Sequence, residues 1–454
     1  MRILLINPWI TDFAAYDFWD RPVGLLYVAS FLRERGHDMR LIDCMDRFQN
    51  GHGHNVSGLS RQYNTGKFHS EIIDKPVVFS HVPRHYKRYG IPLPLFKELA
   101  LKGPTPDIVL VTSLMTYWYQ GAFEAIRIAS GLFPGVPVLL GGIYARLCTG
   151  HAREHSGANR VVTAARPSDI IDAVESAAGA ISTGPEPDDS FDAWPQPAWD
   201  LYAHQRTASV LTTRGCPFRC TVCASHLLMD RFERRSIVDV VTELEHLTER
   251  GVEDVAFSDD ALLLDSGSYA EPLFERLAGL GLPLRLHTPN GLHVREITPA
   301  VARLMKKAGI KTVRLSLETS SDTRAADFSD KVNRDDFRAA AAALYEAGFT
   351  PGDLGAYIMA GLPGQTYEEV EDTADFAWQC GVRVNPALFS PVPGTAAYDI
   401  AVEHGMIRDG DDPLLQNNTL RTVDWFGGYP GGYQAFRNRI TLGNNKRVPH
   451  RTTP

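Results

Sequence analysis

The chain has no stretch approaching the roughly 18 apolar residues that a membrane span needs, and its start, Met1–Pro8, lacks a signal peptide's core and cleavage site. It has no excess of positive charge: 46 Lys and Arg stand against 54 Asp and Glu, a net −8 that speaks against general nucleic-acid or anionic-membrane binding. The basic residues near the end (Arg437, Arg439, Lys446, Arg447, Arg451) read as a solvated tail. Cysteine is scarce. Of six, Cys44, Cys148 and Cys380 are scattered and three are clustered, which excludes a disulfide framework and suits metal chemistry in a reducing, cytoplasmic setting. No second C-x-x-C occurs, and no cysteine follows Cys380, so an auxiliary cluster near the C-terminus is not expected.

What is present centres on Arg214-Gly215-Cys216-Pro217-Phe218-Arg219-Cys220-Thr221-Val222-Cys223. Three thiolates from one turn can hold three irons of a cubane cluster and leave the fourth iron open for a chelating small molecule. A structural zinc site is the competing reading, because zinc takes four Cys or His ligands and His226 follows three residues after Cys223. The spacing, and its place after the apolar run Ala208–Leu211, resemble the radical S-adenosylmethionine (SAM) superfamily, in which SAM occupies the open iron of a [4Fe–4S] cluster. Val222 departs from the aromatic residue that many members carry before the last cysteine.

At 454 residues the chain has room for at least two domains. Residues 1–180 alternate strand and helix: Arg2–Asn7, Met39–Asp43, Asp107–Thr112 and Val136–Leu140 as strands, Gly24–Arg35 and Ala122–Leu132 as helices. That order predicts a Rossmann-like, doubly wound parallel sheet. Residues 44–104 break the rhythm as a loop excursion, and its histidines (His52, His54, His69, His81, His85) are irregularly spaced loop residues. The Pro- and Asp-rich stretch in 181–205 reads as a linker.

Over 206–400 the alternation resumes. Strands are expected at Ala208–Thr213, Val255–Ser258, Pro283–His287, Thr312–Leu317, Gly355–Met359 and Val384–Phe389. Helices are expected at Val238–Arg250, Tyr269–Leu280, Pro299–Ala308, Asp335–Ala347 and Tyr367–Cys380. Six such units predict a partial (β/α)6 TIM-type barrel with its chemistry at the strands' C-terminal ends. Residues 401–454, rich in Gly and aromatics, are expected to cap the open side.

The strand ends carry polar motifs in order: Phe257-Ser258-Asp259-Asp260, Thr288-Pro289-Asn290-Gly291, Ser316-Leu317-Glu318-Thr319, Gly361-Leu362-Pro363-Gly364 and Ser390-Pro391-Val392-Pro393. A zwitterionic, ribose-bearing ligand needs such acceptors. The resemblance implies that Cys216, Cys220 and Cys223 hold the cluster, with SAM contacted by Asp259, Asp260, Asn290, Ser316 and Glu318.

The first domain resembles the cobalamin-binding domains found ahead of many radical SAM barrels. The signs are Asn7-Pro8, Pro22–Leu26, Gly36-His37-Asp38, and two turns, Thr112-Ser113-Leu114 and Gly141-Gly142, that match the nucleotide-tail site. Tyr117, in the aromatic run Met115–Tyr119, is expected to cover the corrin or to pack at an interface. The D-x-H-x-x-G motif that supplies a cobalt ligand is missing, as in many radical SAM relatives. Val161–Pro167 departs from the usual Gly/Glu-rich turn, which bears on the corrin pocket.

Together these resemblances imply a cobalamin-dependent radical SAM methyltransferase. Reductive cleavage of SAM gives a 5′-deoxyadenosyl radical, which takes hydrogen from an unactivated carbon of a small-molecule, natural-product or lipid-like substrate that is then methylated. The implied partners are that substrate and a reductant such as flavodoxin or ferredoxin. Radical cyclisation, oxidation or rearrangement is the alternative outcome. A non-catalytic zinc or cobalamin module is the alternative class.

Overall fold

The computed structural model describes residues 1–48, 60–180, 184–328 and 332–448. His52, His54, Arg451 and the first residues of the expected linker lie outside that set. The chain divides into two units, Met1–Ala208 with Asp411–Leu415, and Ser209–Gly410 with Gln416–Pro454.

In the first unit five parallel strands, β1 (Arg2–Asn7), β2 (Asp38–Asp43), β3 (Ile108–Val111), β4 (Val138–Leu140) and β5 (Arg160–Val161), lie in the order β2-β1-β3-β4-β5. The central strands β1, β3 and β4 are apolar runs buried on both faces, as parallel strands under helices are, whereas the edge strands β2 and β5 are partly exposed. Ile3, Leu5, Ile108, Leu110 and Leu139 pack with helices α1 (Val23–Glu34) and α3 (Pro167–Ala178), while α2 (Tyr119–Leu132) lies between β3 and β4 in the chain. The alternate residues Leu4, Ile6, Val109 and Val111 point to the other face and are equally buried. The strand order reverses between β1 and β3, the point where doubly wound sheets open a ligand crevice at their C-terminal edge.

Two expectations need correction here. The excursion is not all loop: Ile10–Asp12, Lys87–Tyr89 and Ser70–Ile72 form a small antiparallel sheet, followed by a helix over Leu93–Leu101. The supposed linker, from residue 184 on, is packed protein. Ala198 belongs to the core of the first unit, Trp194 and Leu201 rest against that core, Ser30 Oγ donates to Gln196 O at 2.6 Å, and Tyr27 meets Trp194 edge-on. Its prolines hold an extended backbone, while its tryptophans supply the burial that keeps it in place.

The second unit has six strands in chain order: β6 (Thr207–Val210), β7 (Asp254–Phe257), β8 (Arg285–Leu292), β9 (Ile310–Glu318), β10 (Leu354–Ala360) and β11 (Arg383–Leu388). From β7 to β11 each pairs in parallel with the next. Helices α4 (Ile237–Glu249), α5 (Ala270–Leu280), α6 (Pro299–Lys307), α7 (Arg334–Glu346) and α8 (Tyr367–Gln379) alternate with them. This is the expected partial barrel. Its open edge is β11, where an unpaired strand is a liability. Helix α9 (Gly432–Arg447) blunts it: Asn444 accepts from Val384 N at 2.8 Å and donates to Val384 O at 3.0 Å, standing in for a seventh strand. The expected cap is therefore divided, with Asp411–Leu415 in the first unit and α9 in the second.

Candidate active site at the barrel's strand ends

The cysteine loop follows β6. A short hairpin, Thr213–Arg214 against Glu233–Arg234, opens it. Gly215 has φ +75° there, and a Cβ would meet Arg231 O at 2.3 Å, so only glycine lets the chain turn this close to its return strand. Gly215→Ala should cost at least the ~1–2 kcal/mol of a left-handed alanine and displace Cys216. Anaerobic iron loading of that variant is expected to fall well below the wild-type level.

None of the three cysteines is in a disulfide; Cys220 is buried, and Cys216 and Cys223 are partly open. The Ser225 N–H donates to Cys223 Sγ at 3.4 Å. Neighbouring strand ends grip the loop. Phe218 meets His293 edge-on at 4.8 Å, and Ala397 N donates to Thr221 O at 2.9 Å. Among the described residues, no three His, Cys, Asp or Glu side chains gather closely enough for one metal ion. Three cysteines on one loop, none in a disulfide, are the donor set that a cubane with one open iron takes.

The five expected SAM residues all fall at the ends of β7, β8 and β9, in unequal settings. Asn290 donates from Nδ2 to the carbonyls of Ser258 (3.0 Å) and Asp259 (3.1 Å), tying β8 to β7. Gly291 leaves room for Ser316, whose Oγ would lie 2.3 Å from a Cβ there. Both β8 and β9 break register at this level, between Thr288 and Leu292 and between Ser316 and Glu318. Glu318 has φ +60°, a strained value for a residue with a side chain. Such strain, of order 1–3 kcal/mol, concentrates at functional sites, and a bulge re-aims the side chain beside it. Asp260 is exposed.

Asp259, expected to contact SAM, has one oxygen committed to the scaffold, while its buried Oδ2 has no hydrogen-bond partner among the described residues. It is 3% exposed, and its Oδ1 accepts from Thr212 N and Oγ1 (both 2.8 Å), from Thr213 Oγ1 (2.9 Å) and from Thr213 N. Burial pushes its pKa up to about 6 against the pull of those donors. The carboxylate anchors the entry to the cysteine loop. The threonine pair two residues ahead of Gly215 was the sequence signal for this role, and it was missed.

In the first unit the two turns expected to flank a nucleotide tail are in contact. Ser113 Oγ donates to Gly141 O at 2.6 Å and accepts from Ala145 N at 3.3 Å. Gly142, at φ +93°, would place a Cβ 2.3 Å from Ser113 O. Ser113 is thus the bridging hydroxyl, whereas Thr112 N continues the ladder to Ile6 O. Tyr117 is 2% exposed and its ring packs edge-on against Trp118, so it lies within packed protein and not on an open rim. The rim consists of Leu114, Met115 and Ile143, each 37% exposed at the ends of β3 and β4. Apolar side chains held open at a sheet's C-terminal edge suit a flat, largely apolar macrocycle.

A loop of three cysteines follows the first strand of a partial barrel, with a strained carboxylate among the strand ends, which is the arrangement expected of a SAM-chelating iron–sulfur site. Residues 210–377 match the model of the radical SAM superfamily. That superfamily's cofactors are a [4Fe–4S] cluster and SAM. It is 25% identical over 433 residues to an uncharacterized methyltransferase of Pyrococcus horikoshii, covering 89% of this chain and 80% of that protein. A ribosomal protein uS12 methylthiotransferase of Thermotoga petrophila is 23% identical over 221 residues, 46% of this chain and 50% of that protein. The radical SAM methyltransferase TsrM of Kitasatospora setae, solved with cobalamin and a [4Fe–4S] cluster, has the same fold at TM-score 0.63 and 16% identity, over 92% of this chain and 84% of that one. The cobalamin-dependent radical enzyme OxsB matches at TM-score 0.54 and 12% identity, over 91% of this chain and 56% of that one. Among the described residues no helix is long and apolar enough to cross a membrane.

Proposed function

We propose that the protein is a cobalamin-dependent radical SAM methyltransferase acting on a carbon of a small molecule. The observation that carries this reading is the union, in one chain, of the three-cysteine barrel with a switch-point sheet whose C-terminal edge is apolar and open. The Pyrococcus relative, named a methyltransferase, aligns across both units, and so does TsrM, whose structure holds both cofactors.

When bound, the cluster and corrin supply the electron that cleaves SAM to methionine and a 5′-deoxyadenosyl radical, and the methyl group for transfer. The chain's own residues do the rest. Cys216, Cys220 and Cys223 hold three irons, and Asp259 fixes the loop that presents them. Asp260, Asn290, Ser316 and Glu318 line the strand ends where SAM's amine and ribose need acceptors. Ser113, Gly141 and Gly142 shape the tail-side turn of the first unit, and Leu114, Met115 and Ile143 offer the apolar rim. A small reducing protein of the flavodoxin or ferredoxin type supplies electrons.

Product mass tests the outcome. With SAM carrying a deuterated methyl group, the product is expected to gain one labelled methyl. Loss of hydrogen without label, or an unlabelled isomer, would instead establish radical oxidation, cyclisation or rearrangement on the same scaffold.

A further inference from the structure

The barrel's inward-facing side chains are only partly buried. On β9 the outward residues Val313, Leu315 and Leu317 are buried under helices, whereas the inward Arg314, Ser316 and Glu318 are partly exposed. The same holds for Tyr357 and Met359 on β10 and for Asn385 and Ala387 on β11. A closed barrel fills these positions with branched aliphatic side chains; here, Met359 apart, they are polar or small and only partly buried.

Near the N-terminal ends of the strands one network is already complete. His287 lies between Thr312 Oγ1 (2.9 Å) and Asp254 Oδ1 (3.0 Å), and Arg285 pairs with Asp254 at 2.6 Å. Arg314 differs. Its Nη1 donates to Val313 O at 3.2 Å, and no carboxylate among the described residues acts on it. Burial works against its charge, only the Tyr357 hydroxyl favours it, and its own charge in turn disfavours that of Arg383. Arg383 Nη1 is spent on Asn444 O and Val448 O. A guanidinium brings five donors and stays charged even when desolvated, and an enclosed cation without a counter-charge is costly.

The surroundings give it room. Arg314 lies opposite Gly355, where a Cβ would come within 3.2 Å of its Cδ, 3.3 Å of its Nη1 and 2.5 Å of Asn385 Oδ1. Glycine there lets the guanidinium lie across β10 beside Asn385. Arg314 precedes Glu318 by four residues, about 13 Å along the strand at ~3.3 Å per residue. A ligand held at Glu318 is thus well separated from one held at Arg314.

We propose that Arg314 is an anion receptor deep in the lumen, and that the small molecule methylated carries a carboxylate that docks there, leaving its reacting carbon toward the strand ends. This rests on the radical SAM reading of the same barrel. SAM's own carboxylate is the other source of that chemistry, and the test separates the two.

Trifluoroacetate is titrated into reconstituted holoenzyme and followed by fluorine NMR, for wild type, Arg314→Gln and Arg314→Lys. Affinities for SAM and for decarboxylated SAM are measured in parallel. Wild type should bind trifluoroacetate saturably and Arg314→Gln at least about tenfold more weakly, as ~1.4 kcal/mol of lost charge-assisted bonding requires. The lysine variant should fall between, and SAM affinity should be unchanged. Absence of saturable binding by wild type, or equal binding by Arg314→Gln, overturns the proposal. So does a variant that loses affinity for SAM but not for decarboxylated SAM, which would assign the arginine to SAM. If Arg314→Gln does not fold, Gly355→Ala crowds the guanidinium while keeping its charge and should weaken trifluoroacetate in the same way. Repeating the titration on cluster-free protein keeps this result separate from any failure of the cluster assignment.

Discussion

Cys220→Ala should give a folded protein that neither retains a [4Fe–4S] cluster nor forms 5′-deoxyadenosine above background. Cys220 is the middle ligand of the loop and 4% exposed. Alanine there removes one thiolate while changing little volume, so the packing should survive. With two thiolates left, the loop no longer supplies a ligand to each of three irons. Corrin binding should persist, because the turns at Ser113 and Gly141-Gly142 belong to the first unit. Iron content, the visible spectrum and deoxyadenosine yield measure the three effects separately. Retained SAM cleavage would remove Cys220 from the ligand set.

The second large effect is expected at Asp259, with a sharp contrast between two substitutions. Asp259→Ala strips the acceptor from the N–H groups of Thr212 and Thr213 and from both hydroxyls. Each buried backbone donor left without a partner costs about 1–3 kcal/mol. The penalty falls on the entry to the cysteine loop, so the cluster should be labile or absent, not merely short of SAM. Asp259→Asn keeps an acceptor oxygen and should retain the cluster. The carboxyl's pKa is raised to about 6 in the folded protein, from an ordinary ~3.9 when unfolded. The folded state therefore binds the proton more tightly, and this group's contribution to stability declines as pH rises from ~4 through 6. Asparagine, resembling the protonated form, should abolish that decline. Denaturant unfolding at pH 5 and pH 7, with iron retention, gives both readings; equal cluster loss in the two variants would show that the acceptor role is mistaken.

The sequence shows the cysteine triad and the β/α alternation because both are local: ligand spacing lies in one turn, and hydrophobic periodicity reports each strand by itself. The strand-end motifs were visible as residue types, and the barrel gathers them as expected. Their orientation was not visible. Whether Asp259 faces a ligand or its own scaffold depends on donors 46 and 47 residues away, and a single sequence does not record which way a buried carboxylate turns. The same limit separates Thr112 from Ser113, adjacent hydroxyls of which only the second reaches across to Gly141. It also sends Tyr117 inward, leaving Leu114, Met115 and Ile143 on the rim. The stretch after residue 184 misled because Pro and Asp were weighed above Trp194, Trp199 and Leu201, whose apolar area decides packing. Arg314 was read only as part of a strand. Its lack of a counter-charge is a property of the assembled lumen.

The most direct measurement is anaerobic reconstitution with iron, sulfide and hydroxocobalamin, followed by metal analysis, a visible spectrum and a dithionite-driven SAM-cleavage assay on the same sample. One cubane's iron and sulfide per chain, a corrin band that survives desalting and release of 5′-deoxyadenosine are the predicted results. Zinc in place of iron, or a loaded cluster that leaves SAM intact, would contradict the account.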